Sequence, residues 1–303
     1  MKLMRWLLAS FIVLGLGVSS SYAAYSKNSN TDVGSARVFG GGGSAWMQDK
    51  IKDTQFSPDP KVDSWMWAVR TGYEYMNAND IFFRAEGFWR GGKAESGDKA
   101  FSTFDVNGST INVKGQFDAY VHNYGANGRV GYMWDFGQEQ QFAFAPYTGI
   151  GYYGQRASFK EGSFTKEDAD GDFLASEGGQ WQARSWYVPV GVYLQYVMNE
   201  KLCVGLFAEA QFSFGNYIWE KFQTGTEPDG TTPKFAEASS NGKNEVNWRA
   251  ELPITWQLTY RWDLQLSPYY QYSTVTSKKA DNLGFGKNTF SDAGVFFELG
   301  VKF

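Results

Sequence analysis

The chain has 303 residues and a formal net charge of −4, and it combines 18% aromatic residues with a mean hydropathy of −0.42. That pairing is unusual for a soluble core but natural for strands that show apolar residues to lipid and polar ones to a lumen. No basic stripe is available to neutralise phosphates, which excludes nucleic-acid binding, and the lone Cys203 excludes an intramolecular disulfide or a Cys-rich metal centre.

At the N-terminus, Lys2 and Arg5 precede an uncharged apolar run from Trp6 to Val18, and Ser21-Tyr22-Ala23 suits cleavage before Ala24. The run is shorter than the ~20 residues a spanning helix needs. Residues 1–23 are therefore expected to be a signal peptide, 24–37 a periplasmic lead-in and 38–303 a transmembrane β-barrel. Loss of the two leader cations takes the net charge from −4 to −6. No later segment approaches ~18 uninterrupted apolar residues, so helical spans are not expected.

Period-two alternation then runs to the last residue. A first strand over 38–52 is the least regular, because Gly40 to Gly43 erase the alternation. Between Ser64 and Met76, Trp65, Trp67, Val69, Thr71, Tyr73 and Tyr75 share one face, with Arg70 and Glu74 on the other. The next segment turns Ile81, Phe83, Ala85 and Trp89 outward and Arg84, Glu86 and Arg90 inward. Irregular strands follow near 114–136, where a bulge is expected, and 142–156. Trp186 to Tyr196 and Leu202 to Phe214 alternate cleanly, the latter with Glu209 and Gln211 inside. Val246 to Leu258 sets Arg249, Glu251 and Gln257 inward, and a strand near 263–274 precedes the closing segment. There Ala293, Val295, Phe297, Leu299, Val301 and Phe303 oppose Asp292, Glu298 and Lys302.

The expected fold is thus all-β, a closed antiparallel transmembrane barrel of about ten strands, an even number as such barrels require. Connection lengths support it independently. Short turns at 77–80, 135–141, 199–201 and 261–263 alternate with long polar connections near 53–63, 91–113, 157–179, 220–243 and 275–289. Short periplasmic turns and long extracellular loops are the pattern of outer-membrane barrels. For the turn at 77–80, both flanking strands carry even-numbered inward residues, so paired numbers sum to an even value. A register of Glu74 opposite Arg84 and Tyr75 opposite Phe83 joins opposite charges inside and aromatic rings outside.

The amphipathic strands, the segments Ala145-Pro146-Tyr147-Thr148-Gly149-Ile150-Gly151-Tyr152 and Tyr187-Val188-Pro189-Val190-Gly191, and the terminal Val301-Lys302-Phe303 resemble the OmpA-type and related small outer-membrane barrels. The resemblance is architectural and covers the mature chain. It implies the outer membrane of a Gram-negative-type bacterium, with lipid and lipopolysaccharide as surroundings. It also implies Phe303 as a membrane-assembly signal read by the barrel-assembly machinery. Ten strands is also the size of the omptin proteases, whose design implies an Asp–His pair and a further Asp pair at the extracellular rim. The sole histidine, His122, departs from that pattern. Asp118, the nearest acid on its own face, lies about 13 Å away along a strand. A partner from another strand remains open, beside a packing role in the lumen or at the rim.

The candidate site is therefore the set of lumen charges Arg70, Glu74, Arg84, Glu86, Glu209, Arg249, Glu251 and Glu298. They either line a narrow hydrophilic pore or pair across strands and plug the barrel. Gly149-Ile150-Gly151-Tyr152-Tyr153-Gly154 fits a dinucleotide pattern but lies inside a strand without the helix that phosphate binding requires. Asp168-Ala169-Asp170-Gly171-Asp172 resembles part of a calcium loop without the glutamate that would complete it. Trp65, Trp67, Trp89, Trp186, Trp219 and Trp248 are expected near the outer membrane boundary. Tyr75, Phe83, Trp134, Tyr260, Trp262 and Phe303 are expected near the periplasmic one. No metal, cofactor or catalytic residue is implied. The reading is a non-enzymatic barrel acting in envelope structure or surface contact with a ligand through its loops, with a small-solute pore or an outer-membrane hydrolase as alternatives.

Overall fold

The structure is a computed structural model that describes residues 35–52, 61–96, 100–106, 109–137, 141–166, 180–226, 233–277 and 287–303. The leader and the acidic Asp168–Asp172 segment lie outside the described residues, as does most of the lead-in. Strands β1 (Ser35–Lys52), β2 (Lys61–Met76), β3 (Ile81–Ser96), β4 (Ala100–Val106) and β5 (Ser109–Tyr132) come first. They are followed by β6 (Trp134–Phe136), β7 (Phe142–Lys166), β8 (Gln180–Asn199), β9 (Leu202–Thr226) and β10 (Pro233–Asn241). The last four are β11 (Val246–Glu251), β12 (Ile254–Gln257), β13 (Trp262–Thr276) and β14 (Lys287–Lys302). Short pieces join end to end: β6 continues β5, and β10, β11 and β12 share one stave. The wall is thus a closed 10-strand antiparallel barrel. Pairing of β1 with β14, from Arg37 opposite Lys302 to Lys52 opposite Lys287, closes the ring.

The turns fix the register. Asn77 Oδ1 accepts hydrogen bonds from the Asn79 and Ile81 amides at 2.9 Å each, and Asp80 takes a positive φ of 62°. An Asx-type turn of this kind leaves one antiparallel alignment. Glu74 faces Arg84 and Tyr75 faces Phe83, as the parity argument expects. The same device recurs in two other periplasmic turns, where Asn199 Oδ1 accepts from the Lys201 and Leu202 amides and Thr259 Oγ1 from those of Arg261 and Trp262.

Three details differ from the sequence reading. The first strand begins at Ser35, which places Arg37 in the wall rather than in the lead-in. Strand structure extends through much of what reads as loop, in β4, the upper parts of β5 and β7, and β10. These segments lie beyond the extracellular aromatic boundary, where no lipid imposes the alternation that marks a strand. The strand near 250 breaks at Leu252–Pro253, where proline lacks an amide for the ladder. The expected bulge in β5 is present, as a register shift between Phe117 and Ala119.

The outer surface carries an apolar band. From Phe142 to Tyr152 the outward residues are Phe144, Pro146, Thr148 and Ile150, and from Trp186 to Tyr196 they are Val188, Val190, Val192 and Leu194. Ten residues of strand extend about 33 Å, and a tilt of 35–45° reduces this to roughly 25 Å of height, the thickness of the lipid-facing band in such barrels. Rings bound it on both sides. Tyr152 packs edge-on to Trp186 at 5.1 Å on the extracellular side, and Phe142 stacks on Tyr196 at 4.7 Å on the periplasmic side.

A plugged lumen as the candidate functional site

Every lumen charge expected from the sequence points inward, and the barrel brings all eight into one bonded network. Each sits on a strand whose alternate residues face lipid, so the pleat alone turns it into the lumen. At the centre, Glu86 accepts from Arg129 (3.1 Å), Arg249 (2.9 Å) and Arg84 (2.9 Å), with Asn127 Nδ2 at 3.1 Å. Arg70 grips Glu298 with two 2.6 Å bonds and reaches Glu251 at 2.8 Å. Arg249 closes the ring on Glu251 at 2.7 Å. Across the barrel, Arg129 makes a two-bond clamp on Glu209, which also accepts from Tyr147 Oη and Gln211 Nε2. The two-point geometry suits the planar guanidinium fork.

Below this ring lies a second cluster at the periplasmic mouth. Arg37 donates to both oxygens of Asp263 and to Glu74 at 2.9 Å, Glu74 meets Arg84 at 2.9 Å, and Lys302 Nζ stands 3.7 Å from Asp263. A recess of about 60 Å³ opens here beside Cys203, Phe207 and Pro253. Above the ring, Arg90 pairs with Asp292, which accepts from Tyr269 Oη at 3.0 Å. The Arg90 guanidinium also lies over the Phe88 and Tyr269 rings at 4.6 and 4.7 Å. Higher still the lumen turns apolar, with Met47, Met66, Val121, Trp181, Ile218 and Phe290 in one packed cluster.

In these layers the cations Arg37, Arg70, Arg84, Arg90, Arg129, Arg249 and Lys302 face the seven carboxylates Glu74, Glu86, Glu209, Glu251, Asp263, Asp292 and Glu298, so these layers are electrically balanced. The side chains of Arg70, Glu86 and Glu298 have no exposed surface. Ion pairs this deep persist only when each partner is hydrogen-bonded, as Arg70, Glu86 and Glu298 are. Arg37, Arg90, Arg129, Asp263, Asp292, Lys302 and Tyr147 join the network beyond the eight charges that the sequence singles out; of these, Arg90, Asp292 and Lys302 are placed inward by the alternation. The signal for Arg37 was its two-residue spacing from Phe39 and Gly41, and for Arg129 its spacing from Asn127. Both were hidden by glycines, at 40–43 in β1 and at Gly125 and Gly128 in β5.

The other singled-out residues lie elsewhere. His122 is on the outer face of β5, opposite Gly91 and Arg156, with its ring 5.7 Å from that of Trp89. It is therefore not a lumen residue, because its position in the alternation turns it toward the membrane boundary. Gly149 to Gly154 lie within β7, so the glycine pattern has no phosphate-binding helix. Phe303 closes the wall, exchanging backbone hydrogen bonds with Ala36. No helix among the described residues is long and apolar enough to cross a membrane.

The apolar outer band and closed wall define the class: the chain is an outer-membrane β-barrel of ten strands. The outer-membrane protease OmpT of Escherichia coli has the same architecture, with a TM-score of 0.55 over 94% of this chain and 99% of that one, at 9% identity. At that identity the likeness is one of fold. A major outer membrane protein from Thermus thermophilus matches with a TM-score of 0.36 over 86% of this chain and 99% of that one, at 10% identity. No protein-family model and no curated protein sequence matches the chain.

Proposed function

We propose that this protein is a non-enzymatic barrel with a structural or surface-interaction role, acting through its extracellular parts rather than through its lumen. The observation that supports this reading is the ion-paired ring around Glu86, continuous with the apolar layer above it. A solute crossing the barrel would have to part charge pairs at 2.6–2.9 Å and then traverse packed Met47, Met66 and Trp181. Separating such pairs without replacement partners costs several kcal/mol per ion. The strands that continue above the band, β4 with upper β5 and β7, and β10 with upper β9, supply the surface for contact.

Two measurements test the reading. The full chain reconstituted in a planar bilayer is expected to give no unitary current steps in concentrated KCl. Regular steps would support the small-solute pore instead. Cells displaying a barrel in which residues 100–114 are replaced by a short turn are expected to lose surface adhesion while retaining a folded barrel. Adhesion unchanged by that replacement overturns the surface role.

A further inference from the structure

Closure of the barrel sets two cations directly opposite one another. Arg37 of β1 pairs in register with Lys302 of β14, and both side chains turn into the lumen and are buried there. Like charges in that relation repel unless a counter-charge serves both. The carboxylate beside them is Asp263, and its two oxygens already accept three bonds from the Arg37 guanidinium. The next, Glu74, gives one oxygen to Arg37 and the other to Arg84. Lys302 is left over. Its Nζ stands 3.7 Å from Asp263 Oδ2, beyond hydrogen-bonding distance, and bonds no other acceptor among the described residues. The side chain is only 6% exposed, and a buried ammonium whose donors are unsatisfied is costly.

The recess at the periplasmic mouth, which Lys302 helps to line, says which anion fits. Its volume of about 60 Å³ is several times the ~15 Å³ that one water needs, which admits a molecule the size of acetate or propionate. Phe82, Tyr193, Phe207 and Pro253 line it beside the charged residues. Tyr193 and Phe207 stack at 4.1 Å, so this part of the wall is packed and apolar. A carboxylate would take up the Lys302 donors and set its short hydrocarbon end against those rings. Chloride would use the cation and leave the rings to water. A phosphate dianion would bring a second charge beside Glu74 and Asp263, where only one cation is in surplus.

We infer that Lys302, with Arg37 beside it, forms a periplasmic binding site for a short-chain monocarboxylate, whose binding tightens the β1–β14 seam. The site lies below the Glu86 ring, so it leaves the plug in place and does not depend on the function proposed above.

The test uses the full chain refolded in a zwitterionic detergent, with sodium propionate as the probe at constant ionic strength. Saturation transfer from the barrel to the propionate methyl protons is expected, and the urea midpoint should rise and level off as the site fills. K302M, which keeps much of the side chain's bulk without its charge, should bind propionate about tenfold more weakly. Pivalate, too wide for the recess, and phosphate should leave the wild-type midpoint unmoved, and chloride should shift it less than propionate does. These arms need only the wild type, so they decide the matter even where K302M does not refold. Absence of saturable propionate binding to the wild type overturns the inference, as does equal binding by a folded K302M. Equal shifts with chloride or phosphate overturn the carboxylate assignment, and an equal shift with pivalate overturns the recess as the site.

Discussion

Replacing Glu86 with alanine is expected to destabilise the folded barrel by about 3–5 kcal/mol, the cost of removing one partner from a buried ion pair. Glu86 is the hub: Arg84, Arg129 and Arg249 donate to it within 3.1 Å, and Arg70 lies at 4.0 Å. The truncation leaves those cations in a lumen that gives them no water. Glu86→Gln, which keeps the shape and one acceptor oxygen, should cost less. Urea unfolding from detergent, followed by the mobility difference between folded and unfolded forms on a gel, measures both. A loss under about 1 kcal/mol would mean that water or counter-ions reach the ring freely, and the plug would have to be abandoned.

Gly41→Val is expected to prevent closure. Gly41 pairs with Glu298 across the β1–β14 seam, and a Cβ at this position would collide with the Phe297 carbonyl oxygen. The collision is with backbone, so no rotamer change relieves it. Gly41 also pairs with Arg70 on its other side, so a shift there would carry into the Arg70–Glu298 clamp. Gly42→Ala is the control. Gly42 points outward and is exposed, and its Cβ would stand 3.5 Å from the Ala68 carbonyl oxygen, an ordinary contact. The valine variant should yield no compact, heat-modifiable band, whereas the alanine variant should refold as the wild type does. Normal refolding of Gly41→Val would show that the seam can shift register.

How legible the protein was in its sequence depended on where lipid touched it. From Trp186 to Tyr196 and from Ala293 to Phe303, one face meets hydrocarbon and the other a polar lumen, so alternation marks strand, facing and register together. The Glu74–Arg84 pairing was readable because the 77–80 turn is short and both flanks alternate. Above the membrane the constraint vanishes, and β4 and β10 read as loop. The pairing partners within the lumen were also invisible. Facing says that Arg70 and Glu298 point inward, but only the closed circumference says that they meet. For His122 the sequence leaves lumen and rim both open, since the bulge at Phe117–Ala119 and the glycines near it obscure the parity of β5, and the structure selects the rim.

The lumen charges are not shared evenly around the ring. Among the ion-paired residues, the half built from β1, β2, β3, β5 and β7 contributes Arg37, Arg70, Arg84, Arg90 and Arg129 against Glu74 and Glu86. The half built from β8, β9, β11, β13 and β14 contributes Glu209, Glu251, Asp263, Asp292 and Glu298 against Arg249 and Lys302. Laid open as a sheet, the chain would be a cationic N-terminal panel joined to an anionic C-terminal one. Neither panel can neutralise itself, and each is the other's counter-charge. Curling the sheet until Arg70 reaches Glu298 and Arg37 reaches Asp263 neutralises both at once, and a half-closed form would leave both panels uncompensated.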